Sequence, residues 1–166
     1  MQRIEEAHRP GKHQQRGVGA EERSGVDQVD ISGSQFTGSA VQQIDSEPGA
    51  GYKVTNIRIH GCTIDGTVST DYALTCSGQS SSNKGSNWDI HNCAITGPVI
   101  VVWCDNVRLY GNAITNHTTK SGIEIWRNST GVTVDRNVIH ENETATAGLA
   151  GIYLAGTTQD ELTFPE

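Results

Sequence analysis

A short phrase recurs five times along the chain, and it constrains the fold more than any other feature. The copies are V-D-I-S-G-S-Q-F at Val29–Phe36, I-R-I-H-G-C-T-I at Ile57–Ile64 and W-D-I-H-N-C-A-I at Trp88–Ile95. V-R-L-Y-G-N-A-I follows at Val107–Ile114 and V-T-V-D-R-N-V-I at Val132–Ile139. Each reads apolar, polar, apolar, polar, turn-former, small polar, variable, apolar. The starts lie 28, 31, 19 and 25 residues apart, and self-similarity at such periods marks a stacked repeat architecture. In a stack held in register, one position of the phrase becomes a column along the molecule, so chemistry can be read by column.

The phrase alternates with period two, which places successive side chains on opposite faces of a strand. Ile and Val together number 27 against five Leu. That balance suits strands and removes the Leu ladder a leucine-rich repeat requires. A weaker apolar phrase follows the main one: Y-A-L-T from Tyr72, V-I-V-V-W from Val99, G-I-E-I-W from Gly122 and G-I-Y-L-A from Gly151. Nineteen Gly and four Pro punctuate the strands with turns. No segment carries a 3.6-residue apolar period, so helix should be nearly absent. The expected fold is all-β, a parallel β-solenoid of about five rungs. Residues 1–26 are polar and aperiodic, a tail or loose cap before a repeat domain over 27–166. Cys76–Ser86 reads as a flexible Ser/Gly loop inserted in one repeat.

The V-x-[I/L/V]-x-x-N-x-I…G-I-x-[I/L] rhythm, clearest at Val107–Ile125 and Val132–Leu154, resembles the right-handed parallel β-helix (pectate-lyase-like) superfamily. The resemblance covers about Val29–Ala155. It implies the fold directly and function only broadly, since that superfamily includes lyases, hydrolases, epimerases, phage tailspikes and binding modules. It places the chain, by analogy, outside the cell or on its surface, although the first residues contain no apolar signal-like stretch.

Three columns should form the core: Val29/Ile57/Trp88/Val107/Val132, Ile31/Ile59/Ile90/Leu109/Val134 and Phe36/Ile64/Ile95/Ile114/Ile139. A fourth, at the turn, holds Ser34, Cys62, Cys93, Asn112 and Asn137. In β-helix families an inward asparagine there bonds along the stack and to the turn backbone, so Asn112 and Asn137 are expected to be structural. Cys62 and Cys93 share that slot in neighbouring rungs. A rung spacing of about 4.8 Å permits a disulfide, but two buried thiols acting as small core residues are the better reading. No Cys-X-X-Cys or Cys/His spacing points to zinc.

Two columns face outward on the first strand. One is Asp30, Arg58, Asp89, Arg108, Thr133; the other is Ser32, His60, His91, Tyr110, Asp135. The plain reading of the first is pairing of unlike charges across rungs. The functional reading makes Arg58 and Arg108 clamps for a uronate carboxylate, with Asp89 between them. In the second, two stacked imidazoles suppress each other's protonation, leaving His60 or His91 as a neutral base with Tyr110 as acid. Proton abstraction beside a carboxylate held by Arg108 is the chemistry of β-elimination in uronan lyases and of C5-epimerases. Similar His/Tyr/Arg sets are what the resemblance to those enzymes implies, though their fuller signatures are missing here. On the weaker phrase, Glu124 and Tyr153 point outward, and Trp103 with Trp126 could form a sugar-stacking platform. Two suitably spaced carboxylates for a glycosidase are conceivable only as Asp89 with Asp135 or Asp30.

No cofactor is expected. Calcium, as in related lyases, finds no motif here, because an Arg separates the two Asp of the column. The formal charge of −7 argues against nucleic acid or an anionic membrane as partner. No run approaches the ~18 apolar residues of a membrane span. Sequons at Asn116, Asn128 and Asn142 matter only in a eukaryotic secretory setting. Solenoid ends need covering, so a second copy or a larger parent protein is expected to cap them. The leading expectation is recognition, with lyase or epimerase processing, of an acidic polysaccharide on the first-strand face. The alternative is a non-catalytic structural, tailspike-like or sugar-binding module.

Overall fold

The computed structural model describes residues 25–46, 48–67, 71–115, 120–126, 128–140 and 150–155. Of the expected tail over 1–26, residues 1–24 lie outside the described residues, as do the sequons at Asn116 and Asn142, and Val26 belongs to the first strand instead.

The described residues coil through five rungs. The first contributes β1 (Val26–Ser32) and β2 (Gln35–Thr37), and Ile44 bridges to Leu74 on its third side. The second holds β3 (Val54–His60), β4 (Thr63–Asp65) and β5 (Leu74–Ser77). The third holds β6 (Gly85–His91), β7 (Ala94–Thr96) and β8 (Val99–Val102). The fourth holds β9 (Cys104–Tyr110), β10 (Ala113–Thr115) and β11 (Ile123–Trp126). The fifth holds β12 (Thr133–Asp135), β13 (Val138–His140) and β14 (Ile152–Ala155). Corresponding strands stack into three sheets, β1-β3-β6-β9-β12, β13-β10-β7-β4-β2 and β14-β11-β8-β5. Every pairing between these strands is parallel. Among the described residues there is no helix.

The register follows the repeated phrase residue for residue. Val29, Ile57, Trp88 and Val107 align, as do Ile31, Ile59, Ile90, Leu109 and Val134. Phe36, Ile64, Ile95, Ile114 and Ile139 align on the second sheet. Most of these side chains are wholly buried in the second to fourth rungs. A one-residue slip would turn every one of them to solvent, so apolar burial itself fixes the register. Trp88 occupies an aliphatic column, and its buried Nε1 has no partner. Among the described residues the interior is open toward the first rung, where a cavity of about 580 Å³ is lined by Val29, Ile31, Ile57, Ile59 and Trp88.

Two columns of left-handed backbone punctuate each rung. The turn after the first strand uses Gly33, Gly61, Asn92, Gly111 and Arg136, all at positive φ. A bulge inside the first strand uses Gln28, Asn56, Asn87, Asn106 and Gly131. Asparagine tolerates this region because its short side chain bonds locally. Here it also bonds along the stack: Asn87 Nδ2 donates to Asn56 Oδ1 (2.9 Å) and Asn106 Nδ2 to Asn87 Oδ1 (3.3 Å). This exterior ladder lies just outside the repeated phrase. Its signal was present as T-N-I, S-N-W and D-N-V just before the main phrase.

The interior ladder is the expected one. Asn112 Oδ1 accepts from the Cys93 N–H (3.0 Å), and Asn112 Nδ2 donates to the Ile90 carbonyl (3.0 Å). Asn137 Oδ1 accepts from the Asn112 N–H (2.9 Å), and Asn137 Nδ2 donates to the Leu109 carbonyl (2.7 Å). One element departs from expectation. The Cys76–Ser86 stretch is a closed turn rather than a flexible loop. Cys76 and Ser77 end β5, Gly85 opens β6, and Asn83 and Ser80 bridge between them. Asn83 Nδ2 then ties the turn to the Tyr52 carbonyl (2.8 Å).

All four cysteines are free and buried. Burial pushes the Cys93 thiol up, drives Cys76 well up, and raises Cys104 to about 12. Thiol chemistry needs the thiolate. Native protein is therefore expected to resist alkylation by iodoacetamide over times in which urea-unfolded protein reacts at four sites; mass spectrometry counts them. Rapid native labelling at Cys76 or Cys104 would contradict the packing.

Candidate functional site: the outer face of the first sheet

The alternation that buries Ile57, Ile59, Trp88 and Ile90 sends the residues between them outward. Asp30, Arg58, Asp89, Arg108 and Thr133 therefore form one column, and Ser32, His60, His91, Tyr110 and Asp135 the next. Parallel in-register stacking brings like positions within ring contact. His60 and His91 stack with centroids 5.1 Å apart and planes 7° from parallel. His91 and Tyr110 stack at 4.7 Å and 10°. The Arg108 guanidinium lies 4.9 Å from the Tyr110 ring centroid, a cation–π contact that closes the row.

The charge column pairs less than alternating signs suggest. Arg58 reaches Asp30 only at 3.9 Å, with both side chains about half exposed, so little stabilisation comes from it. Asp30 instead bonds His60 Nε2 at 3.0 Å. Arg58 Nη2 turns toward His91 Nε2 at 3.5 Å. Asp89 makes no ion pair among the described residues, and its buried Oδ1 has no hydrogen-bond partner. Both guanidiniums thus lean toward the rings and leave the carboxylate between them unpaired.

His91 is 8 % exposed. Its pKa is lowered, first by burial and then by Arg58, His60 and Arg108, against an opposing pull from Asp89. The imidazole pair thus matters less than expected; burial is the larger cause. An Nε2 facing a guanidinium acts as acceptor, which fits the neutral ring. Because the folded pKa lies below the usual 6.5, the unfolded chain takes up a proton first as pH falls. Stability is full above about pH 6.5 and declines as pH drops through the folded value. The urea midpoint of the wild type is therefore expected to fall more between pH 7.5 and 5.5 than that of His91→Gln. Equal falls would remove His91 as the cause.

The third sheet places its candidates differently. Glu124 does point out from the coil, but it is only 6 % exposed. Glu124 Oε2 accepts from the Tyr72 hydroxyl (2.8 Å) and from Trp126 Nε1 (3.0 Å), and its Oε1 accepts from the Ser121 N–H (3.0 Å). It is a buried carboxylate whose three donors all come from within the chain, rather than a group presented to solvent. Its charge, after burial, also raises the Tyr72 hydroxyl pKa. Trp103 and Trp126 do not share a register position. Trp126 pairs with Val102 and Ala155, whereas Trp103 falls one residue beyond β8. Trp126 packs edge-on against Tyr153 at 6.2 Å, and Trp103 lines a separate cleft. Among the described residues no cluster of His, Cys, Asp and Glu could hold a metal ion. No described helix is long and apolar enough to cross a membrane.

The three parallel sheets and the inward asparagine ladder describe an architecture that comparison also identifies. The family described as right handed beta helix region matches residues 12–164. The chain belongs to the right-handed β-helix family. No curated protein and no solved structure matches it. For a β-helix, the first sheet is the widest continuous surface available here: four of its five strands run seven residues, against three or four in the other sheets.

Proposed function

We propose that this β-helix binds an acidic polysaccharide along the outer face of its first sheet. The observation that carries the reading is the pairing pattern. Arg58 and Arg108 sit two rungs apart, about 10 Å, on one face, and neither is neutralised by the Asp89 between them. A guanidinium offers a planar fork suited to a carboxylate. The ring row beside them presents edges rather than faces, because the rings stack along the helix axis. The Tyr110 hydroxyl, at the end of that row, is then positioned to bond a sugar hydroxyl. With a net charge of −7, attraction for a polyanion must come from these local groups and not from the protein's overall field.

Binding is favoured over lyase or epimerase chemistry by the same geometry. The base candidate His91 is largely buried, and Arg58 Nη2 faces its Nε2 at 3.5 Å. Calorimetric titration with polygalacturonate and alginate, against a neutral glucan, tests the reading. Binding should weaken with salt, and Arg58→Ala or Arg108→Ala should each weaken it roughly tenfold or more, the worth of a hydrogen bond to a charged group. No binding of any uronan, or binding at the wild-type level by both variants, defeats the proposal. Ultraviolet absorbance of an unsaturated product in the same samples would show elimination as well.

A further inference from the structure

We infer that the chain carries a second saccharide site, for a neutral pyranose, in the cleft on the outer face of the third sheet. This does not rest on the reading of the first sheet. The cleft encloses about 340 Å³, at the small end of ligand pockets. Its floor is built from register pairs of β5 and β8. Thr75 lies opposite Ile100, and Ser77 opposite Val102, so a polar row borders an apolar one. Trp103 and Tyr72 supply aromatic walls, and Gln42, Asp71 and Gln79 supply polar ones.

The charges of the cleft are already balanced. Asp71 is ion-paired with Lys120, and Lys120 Nζ sits 3.7 Å from the Tyr72 ring centroid. Gln42 Nε2 donates to Thr75 Oγ1 (3.0 Å) and Asp71 Oδ2 (3.4 Å), fixing the amide over the floor. A cation spent on Asp71 is not offered to a phosphate or uronate, so anionic ligands are disfavoured. An apolar strip, an aromatic ring and several hydrogen-bonding groups at neutral charge suit the two faces of a sugar ring.

The backbone at Trp103 gives an independent reason. Its φ is +50°, a region that bulky L-residues rarely occupy. Asp105 bridges to Thr130, which aligns Trp103 with Asn128 one rung later. Asn128 has the same backbone, φ +52°, and is a residue suited to it. The turn therefore accepts asparagine readily, yet holds a tryptophan at the cleft. Backbone strain kept at a concave site points to a role for the side chain rather than for the turn.

Asn128 also supplies the test. Trp103→Asn places in the turn the residue its own neighbour uses, so it should fold and melt no lower than the wild type. Saturation-transfer NMR with methyl glycosides of glucose, galactose, mannose and N-acetylglucosamine should show a bound sugar in the wild type. Affinity should fall roughly tenfold or more in Trp103→Asn and stay unchanged in Arg58→Ala and Arg108→Ala. That last pair separates this site from the uronan face: either may fail while the other stands. No binding of any of the four glycosides, or equal binding by Trp103→Asn, overturns the inference. So does a lower melting temperature for Trp103→Asn, which would make the tryptophan a packing residue.

Discussion

Asn112→Ala is expected to lower unfolding free energy by roughly 2–5 kcal/mol, a large share of what a domain of this size has to lose. The side chain is 1 % exposed and works in both directions. Its carbonyl satisfies the Cys93 N–H and its amide satisfies the Ile90 carbonyl. Neither group faces water, and each left unpaired costs about 1–3 kcal/mol. The chain provides its own milder variant, because Cys93 fills the same slot one rung earlier. Its Sγ donates to the His91 carbonyl at 3.4 Å and the Ile59 carbonyl at 3.7 Å. Asn112→Cys can restore a donor to the Ile90 carbonyl but leaves the Cys93 N–H without its acceptor, so it should lose roughly half as much as Asn112→Ala. Urea unfolding followed by circular dichroism measures both, and an alanine variant with the wild-type midpoint would show the ladder to be dispensable. The effect reaches the first-sheet face as well. Asn112 and Asn137 hold the turns that follow His91 and Tyr110, so loosening them loosens the His91–Tyr110 stack.

The ladder and both outward columns were legible in the sequence for one physical reason. Parallel in-register stacking makes residue i of one rung neighbour residue i of the next, so a column is a property of the repeat alone. Asp30–Arg58–Asp89–Arg108 and His60–His91–Tyr110 follow from the phrase with no further information. Rotamers did not follow. Alternating signs suggested pairing, yet Arg58 turns to His91 and Arg108 to Tyr110, because a ring row alongside competes for the guanidiniums. Coverage did not follow either. The phrase shows that Glu124 leaves the coil, but what covers it is Tyr72, 52 residues earlier in the chain. Turns between repeats have no common length, so no periodicity reports which of them folds back over a sheet. The same limit explains Cys76–Ser86, whose Ser/Gly composition gave no sign that Asn83 would fasten it to Tyr52.

Glu124→Ala is expected to cost roughly 2–4 kcal/mol, as for removal of one member of a buried polar network. The carboxylate receives three donors, and alanine would leave the Ser121 N–H and Trp126 Nε1 in a poorly solvated place without an acceptor. Glu124→Gln separates charge from shape. Its single carbonyl oxygen can still serve Tyr72 and Trp126, but its amide then faces the Ser121 N–H, donor against donor. An intermediate loss is therefore expected. Trp126 is bonded to this group, so tryptophan emission reports the change alongside the urea midpoint. A Glu124→Ala protein as stable as the wild type would return Glu124 to the solvent-facing role its column position suggests. The consequence extends to the third-sheet cleft. Tyr72, one of its aromatic walls, is held through its hydroxyl by Glu124 and across its ring by Lys120. With the hydroxyl contact gone, Lys120 and its Asp71 partner alone position the ring, so Glu124→Ala should weaken sugar binding there. Binding of uronans at Arg58 and Arg108, on a different sheet, should remain at the wild-type level.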